Sequence, residues 1–377
     1  MKRALHIVDA YLSNDARVKS YISILIQQGW TVDVICCREA GRPEKEEKEG
    51  YRIFRVADKY QGTNPLKYLY AYLRFFINAK RVAKIMHEHE PYELVHVHNM
   101  PNFLIGAVKD LLPKPNLVLD MHDLMSVTFK AKFGNSNIPM KLIHLEEKWS
   151  IGRADHLICA DAGQSEILKK THPGVEPVII LNLANPEIFK WEDHTWKSGR
   201  FRFVYHGTIA HRLGVDRVVE ALADLPENIV FRLIGEGDYK FKVLELIAKY
   251  NLSHRIELYP FVPVEKLPEL LHECHAGIIP SRKTEATDKA MLPVKLLEYC
   301  NVGLPSIAAE LSNIKRYFDD EVVFFDPGST EDLRKKMLCL YSDGELRSSI
   351  TDKLRNFLQN NSWYENQKIY CSLIETD

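Results

Sequence analysis

Residues Pro280 to Glu310 read PSRKTEATDKAMLPVKLLEYCNVGLPSIAAE, and the reading of this stretch decides the fold class. It passes from a strand end through a polar loop into a helix and on to a second strand. The apolar run Ala276 to Ile279 has the length of a buried strand, and Pro280 with Ser281 ends it. A helix is expected from Pro293, because proline suits the first helical turn, with Leu296, Leu297 and Cys300 as its apolar face. Lys295 and Glu298 then lie three residues apart on another face. Free backbone N–H groups and the positive end of the helix dipole attract phosphate there, Lys295 adds a charge, and Glu298 accepts hydrogen bonds from sugar hydroxyls. A ligand carrying both phosphate and sugar needs both kinds of contact. A solvated Lys–Glu pair on an ordinary helix fits this one segment equally well, so the rest of the chain must decide.

The same alternation extends outward in both directions. In the first half the strand candidates are Ala4 to Val8, Thr31 to Cys36, Leu94 to Val97, Leu117 to Asp120, His156 to Ala160 and Val178 to Leu181. In the second half they are Arg202 to Tyr205, Ile229 to Ile234, Arg255 to Leu258, Ala276 to Ile279, Ser306 to Ala309 and Val322 to Phe325. Short Val/Ile/Leu-rich runs separated by amphipathic stretches are the mark of parallel sheets covered by helices on both faces. Asn185 to Arg200 is polar and without periodicity, and is the linker candidate. The expected architecture is α/β, with two doubly wound domains facing a cleft and function in the loops that follow strands.

At 377 residues the chain is too long for one typical core, and roughly two domains of 150 to 200 residues are expected. Lys plus Arg number 50 against 51 for Asp plus Glu, a balance that argues against nucleic acid as the principal partner. The seven cysteines form no CxxC and read as reduced thiols of a cytoplasmic protein. The apolar run at the N-terminus breaks at Asp9, too early for a signal peptide, and no run approaches the roughly 20 apolar residues needed to span a bilayer. Membrane contact, if any, is then peripheral and on the inner face.

Loop by loop, the candidate groups accumulate. After the first strand, Asp9 to Arg17 leads into a helix, with Asn14 and Arg17 placed to meet a substrate and Asn14 or Asp15 as the alternative helix cap. His96 and His98 alternate onto one side of a strand. A third metal ligand at sensible spacing is not evident, so no metal is expected. The next strand runs into Met121-His122-Asp123, where His122 can donate to a sugar hydroxyl or phosphate. In the second half Tyr205-His206-Gly207-Thr208, followed by Arg212 and Gly214, offers backbone N–H groups at Gly207, a hydroxyl at Thr208 and a bidentate cation at Arg212. Gly235 and Gly237 read as a tight turn, since the third glycine of a dinucleotide fingerprint is missing, and no GxxxxGK[ST] is present. Tyr259 to Val262 can wall a base pocket, with Phe261 expected in the core.

With these residues on view, the chain resembles the retaining glycosyltransferases of family 4, and the likeness covers nearly all of it. Its marks are DAR at Asp15 to Arg17, DxHD at Asp120 to Asp123, HGT at His206 to Thr208 with Arg212 and Gly214, LIGEG at Leu233 to Gly237, PVKLLEYCNVGLPSIA at Pro293 to Ala308, and Trp363 with Tyr370. The resemblance implies the GT-B fold: an acceptor-binding domain over 1–185, a linker over 186–200, a nucleotide-sugar domain over 201–355, and a terminal helix over 356–377 that packs back on the first domain. Carried over by position, Arg212 and Lys295 neutralise the diphosphate, Glu298 holds the ribose, Val262 contacts the base and His122 lies near the transferred sugar. Gly207, Thr208, Asp288 and Leu296 complete the donor side, and Asn14, Arg17 and His98 the acceptor side. Four positions depart from the family pattern. Ala290 stands where the first of two signature glutamates is usual, leaving Glu285 or Asp288 to substitute. Leu12 and Ser13 replace a glycine pair, and Leu213 replaces a lysine.

The implied reaction is transfer from a UDP- or GDP-linked sugar to a saccharide or lipid-linked acceptor, retaining and metal-independent, with no cofactor beyond the donor itself, in the synthesis of a surface polysaccharide or glycolipid. Two other classes compete: a non-catalytic glycosyltransferase-like subunit, motivated by Ala290, and a sugar-nucleotide epimerase, which needs paired carboxylates that the strand-end loops do not offer. Lys59 to Lys84 carries six basic residues and no acidic one, interleaved with aromatics, and is expected to reach an anionic membrane.

Overall fold

The computed structural model describes residues 2–60, 62, 64–133, 137–193 and 199–375, the side chains at 14, 65, 131–133 and 137–139 excepted. Its chain forms two compact units, one of residues 1–181 with 366–377, the other of 182–365.

The first unit holds β1 (Arg3–Val8), β2 (Thr31–Arg38), β3 (Lys45–Lys48), β4 (Tyr51–Asp58), β5 (Leu94–His98), β6 (Asn116–Met121), β7 (His156–Cys159) and β8 (Val178–Ile179). They make one sheet in the order β3-β4-β2-β1-β5-β6-β7-β8. Every pairing is parallel except β3 with β4. The central strands are buried without interruption, which is why they read as continuous apolar runs. The β3–β4 hairpin was not expected from the sequence. Tyr51–Asp58 carries Arg52 and Arg55, which break the apolar pattern, and the structure accommodates them by pairing: the partly exposed Arg52 donates to both oxygens of the buried Asp33 at 2.7 and 2.9 Å, and the buried Arg55 to Glu46 at 2.7 Å. The charged KEEK strand β3 then closes the sheet edge.

The second unit holds β9 (Phe201–His206), β10 (Ile229–Ile234), β11 (Ile256–Tyr259), β12 (Ala276–Ile279), β13 (Ser306–Ala309) and β14 (Val323–Phe325), all parallel, in the order β11-β10-β9-β12-β13-β14. The chain starts at β9, winds outward to β11, then returns to β12 on the other side of β9. Loops leaving β9 and β12 therefore diverge and open a crevice at their carboxyl ends. In the first unit the same reversal falls between β1 and β5.

The boundaries differ from the sequence reading. The stretch 186–200 is no free linker where it is described. Phe189 is buried, the Trp191 ring sits about 3.0 Å from where a Cβ of Gly303 would be, and Arg355 reaches Asp193 at 2.8 Å, so 186–193 packs into the second unit. Residues 194–198 lie outside the described residues. The terminal segment joins the first unit only from Asn366, ten residues later than expected, and is anchored by the Asn366 side chain donating to Leu181 O and by the fully buried Tyr370.

Candidate functional site

In the second unit the site is built at the β9/β12 reversal. The helix Val294–Asn301 follows an extended Pro293, which sits just before the first turn rather than within it. Leu296, Leu297 and Cys300 face the core, as their spacing requires. Lys295 is left half-buried above the Gly207 backbone. A Cβ built on Gly207 would stand 3.4 Å from Lys295 Cε and 3.6 Å from Nζ, and φ at Gly207 is +102°. Any side chain there would crowd the ammonium. Lys295 Nζ also lies 5.0 Å from the Tyr205 ring centroid, and among the described residues no carboxylate stands within ion-pair distance of it. Burial pushes the Lys295 amine down to about 8; Glu298 opposes that fall and Arg212 adds to it by repulsion. Lys295 and Arg212 thus stand close enough to repel each other, with Glu298 as the carboxylate that acts on the amine, and two neighbouring cations suit a bound diphosphate.

One turn on, Glu298 Oε2 is 3.1 Å from His206 Nε2, with both side chains nearly buried at the end of β9. His206 was not expected as a site residue, although its position immediately before Gly207 could have revealed it. Thr208 and Arg212 are exposed beside it. The loops are held by glycines at close backbone contacts. A Cβ on Gly235 would fall 2.0 Å from Gly207 O, one on Gly237 2.1 Å from Ile209 O, and one on Gly214 2.0 Å from Pro280 O. Gly207 N–H donates to Ile234 O and Ile209 N–H to Glu236 O, both at 2.9 Å. The Gly207 N–H expected to meet phosphate is therefore already bonded, and Gly235 and Gly237 serve the docking of two strand-end loops more than a turn.

Three further expectations are corrected. Asp288 accepts from Ser312 N–H at 2.8 Å and caps the turn Ser312–Lys315, so its carboxylate is spent on the fold. Leu296 is fully buried and its N–H bonds to Pro293 O at 2.9 Å. Phe261, expected in the core, is 60% exposed, while Val262 beside it is half-buried. Ala290 is buried at the end of the short helix Glu285–Lys289. The surface groove of about 920 Å³ between Arg217, Arg282, Lys315, Glu310 and Asp326 includes neither Lys295 nor Glu298, and its lining mixes both charge signs.

The first unit gathers a second constellation around Asp120, which ends β6 fully buried. Asp15, not Asn14, caps the helix Ala16–Gln27, accepting from Val18 N–H at 3.0 Å; the side chain of Asn14 lies outside the described residues. Arg17 does not point to a substrate. It donates to both oxygens of Asp120 at 2.8 Å and to Ile180 O at 2.8 Å. Burial favours the neutral acid, yet Arg17 and then His122 hold the Asp120 carboxyl well below its usual range. His122 is 3.3 Å from Asp120 Oδ2; burial works against its charge, but Asp120 outweighs that and keeps the imidazole above its ordinary value. His98, expected on the acceptor side, is fully buried and stands behind His122, its Nδ1 3.0 Å from His122 Nε2. His6, Tyr21 and Tyr370 complete the cluster. Nothing in local spacing announces them, because they come from strands and helices far apart in the chain.

The model of the glycosyl transferases group 1 family matches residues 188–357, and that of glycosyltransferase family 4 matches residues 17–187. The chain belongs to the group 1 glycosyltransferases of family 4 and has their GT-B fold, two α/β domains built on parallel sheets. It is similar to an uncharacterized glycosyltransferase of Methanocaldococcus jannaschii, 25% identical over 77% of both chains. It is also 25% identical to the amylovoran biosynthesis glycosyltransferase AmsK of Erwinia amylovora, over 44% of this chain and 40% of that one. The structure of Anabaena HepE in complex with UDP superposes over the whole of both chains with a TM-score of 0.72 at 15% identity.

Proposed function

We propose that this glycosyltransferase moves a sugar from a UDP- or GDP-linked donor to a saccharide or lipid-linked acceptor, with retention of anomeric configuration, in the synthesis of a surface polysaccharide or glycolipid. The observation that carries the reading is Lys295, half-buried over Gly207, with no carboxylate within ion-pair distance among the described residues and with a second cation, Arg212, near it. Together they take the charge that develops on the leaving diphosphate, so no metal is required at that point. Glu298, one turn further, holds the ribose hydroxyls, its carboxylate 3.1 Å from His206 Nε2; Thr208 and Val262 flank the phosphate and base. As the bond from the anomeric carbon to phosphate oxygen breaks, the acceptor oxygen bonds to the same face. Its proton passes to the departing phosphate oxygen, so no separate protein base is needed.

The acceptor side is read as meeting a membrane. The helix Pro65–His89 buries Phe75, Ala79 and Ala83, while Leu66, Leu69, Tyr70, Leu73 and Ile77 form a second apolar stripe that is exposed. Arg74, Lys80, Arg81 and Lys84 border it, which suits an anionic bilayer surface. No described helix is long and apolar enough to cross a membrane.

The test is a thermal-shift series with UDP, GDP, ADP and their sugar derivatives on the wild type, Lys295→Ala and Glu298→Ala. A shift selective for one nucleotide and lost in both variants is expected. No shift with any nucleotide would sink the reading and favour a non-catalytic subunit, in keeping with Ala290.

A further inference from the structure

Two neighbouring strands of the first unit, β1 and β5, set three imidazoles on one face of the sheet. His6 in β1 lies directly across from His96 in β5, and His98, two residues on and so on the same face, lies across from Asp120 in β6. All three histidines are fully buried, and their ligand nitrogens lie within 4.8 Å of one another. His96 Nε2 has no hydrogen-bond partner among the described residues, Asp120 Oδ2 standing 3.7 Å away, and His6 Nδ1 and His98 Nε2 face each other at 2.9 Å. A buried polar atom left unmet is costly, and native proteins leave few of them. One that stands among two facing imidazole nitrogens points to a ligand that imidazoles share.

We propose that His6, His96 and His98 form a structural site for a divalent metal ion of the zinc class, tying β1 to β5. The surroundings have the form that metal-bound histidines need, in which the nitrogen not bound to metal is held by another group. His96 Nδ1 is 3.0 Å from Tyr370 OH, and His98 Nδ1 is 3.0 Å from His122 Nε2 and 3.5 Å from Asp120 Oδ2. With metal–nitrogen bonds of about 2.0–2.1 Å in a tetrahedral set, the nitrogens close to about 3.3 Å of one another, and water takes the fourth position. At His6 the ligating atom is Nδ1, whose 2.9 Å link to His98 Nε2 gives way to two metal bonds, so only His96 and His98 have their other ring nitrogen held by a neighbouring group. Asp120 is not a ligand here, since Arg17 engages both of its oxygens. The sequence showed no third ligand because His6 stands ninety residues before His96, and only the strand register brings them together.

The experiment uses the full chain, tag-free and purified without chelator. Metal content by mass spectrometry should come to about one equivalent, and cobalt(II) loaded in its place should give the visible absorption of a tetrahedral site. Both should be lost in His6→Gln and His96→Gln and kept in His172→Gln, which disrupts the separate cluster of His144, Glu147 and His172. Wild type without metal and with a featureless cobalt spectrum overturns the proposal, as does a spectrum unchanged in His6→Gln or lost only in His172→Gln. If the β-strand variants do not fold, the wild-type cobalt spectrum and a chelator-induced fall in its melting temperature decide.

Discussion

Arg17 and Asp120, 103 residues apart, are joined by two hydrogen bonds of 2.8 Å in a buried bidentate pair that fastens the start of one helix to the end of β6. Breaking such a pair from one side strands a charge, at a cost of about 3–5 kcal/mol. Arg17→Met should therefore destabilise the first unit by about that much in urea unfolding, and the double variant Arg17→Met with Asp120→Asn by distinctly less. Equal losses in both would show that the pair is not what holds Asp120.

The Lys295 amine should make donor binding pH-dependent. Its folded value of about 8 lies below the ordinary 10.5, so between these the unfolded chain carries the proton and the folded chain does not. The cost of burying the charge is in full force below about pH 8 and fades as pH rises towards 10.5. A diphosphate prefers the protonated amine, so its dissociation constant should rise above about pH 8, approaching tenfold per unit. Calorimetric titration of a nucleoside diphosphate from neutral to alkaline pH checks this, and Lys295→Met should flatten the profile.

Two glycines should fail in different ways. Gly214→Ala places a Cβ 2.0 Å from the Pro280 carbonyl at a φ of +69°, so the β9 and β12 loops must part, and a loss of several kcal/mol in stability is expected. Gly207→Ala meets only the flexible end of Lys295 at 3.4 Å, although its φ of +102° adds strain. It should weaken nucleotide binding more than its fall in melting temperature accounts for. Thermal melts with and without nucleotide separate the two.

The exposed stripe on the helix Pro65–His89 predicts flotation with liposomes containing anionic lipid. Lys80→Glu with Arg81→Glu should reduce it, and Leu69→Ser with Ile77→Ser should reduce it without lowering the melting temperature, since both side chains are already exposed. Equal flotation of all variants would remove the membrane from the account.

Every strand foreseen from the sequence is present, within a residue or two at the ends. Buried parallel strands announce themselves as apolar runs, and Ile229–Ile234, interrupted only by the buried Arg232, Ala276–Ile279 and Ser306–Ala309 fall where those runs predict. That Lys295 and Glu298 stand one turn apart on the same helix was equally legible, because it depends on helix period alone. What the sequence could not give is what depends on residues meeting across the fold. Arg52 looks exposed until Asp33 is beside it, Asp288 looks available until Ser312 takes its oxygen, and the Gly207 N–H looks open until Ile234 accepts it. Local spacing fixes the period of each element and so which face is apolar. Strand register and loop packing, set by the whole chain at once, fix which polar group each side chain meets, and hence which remain for a ligand.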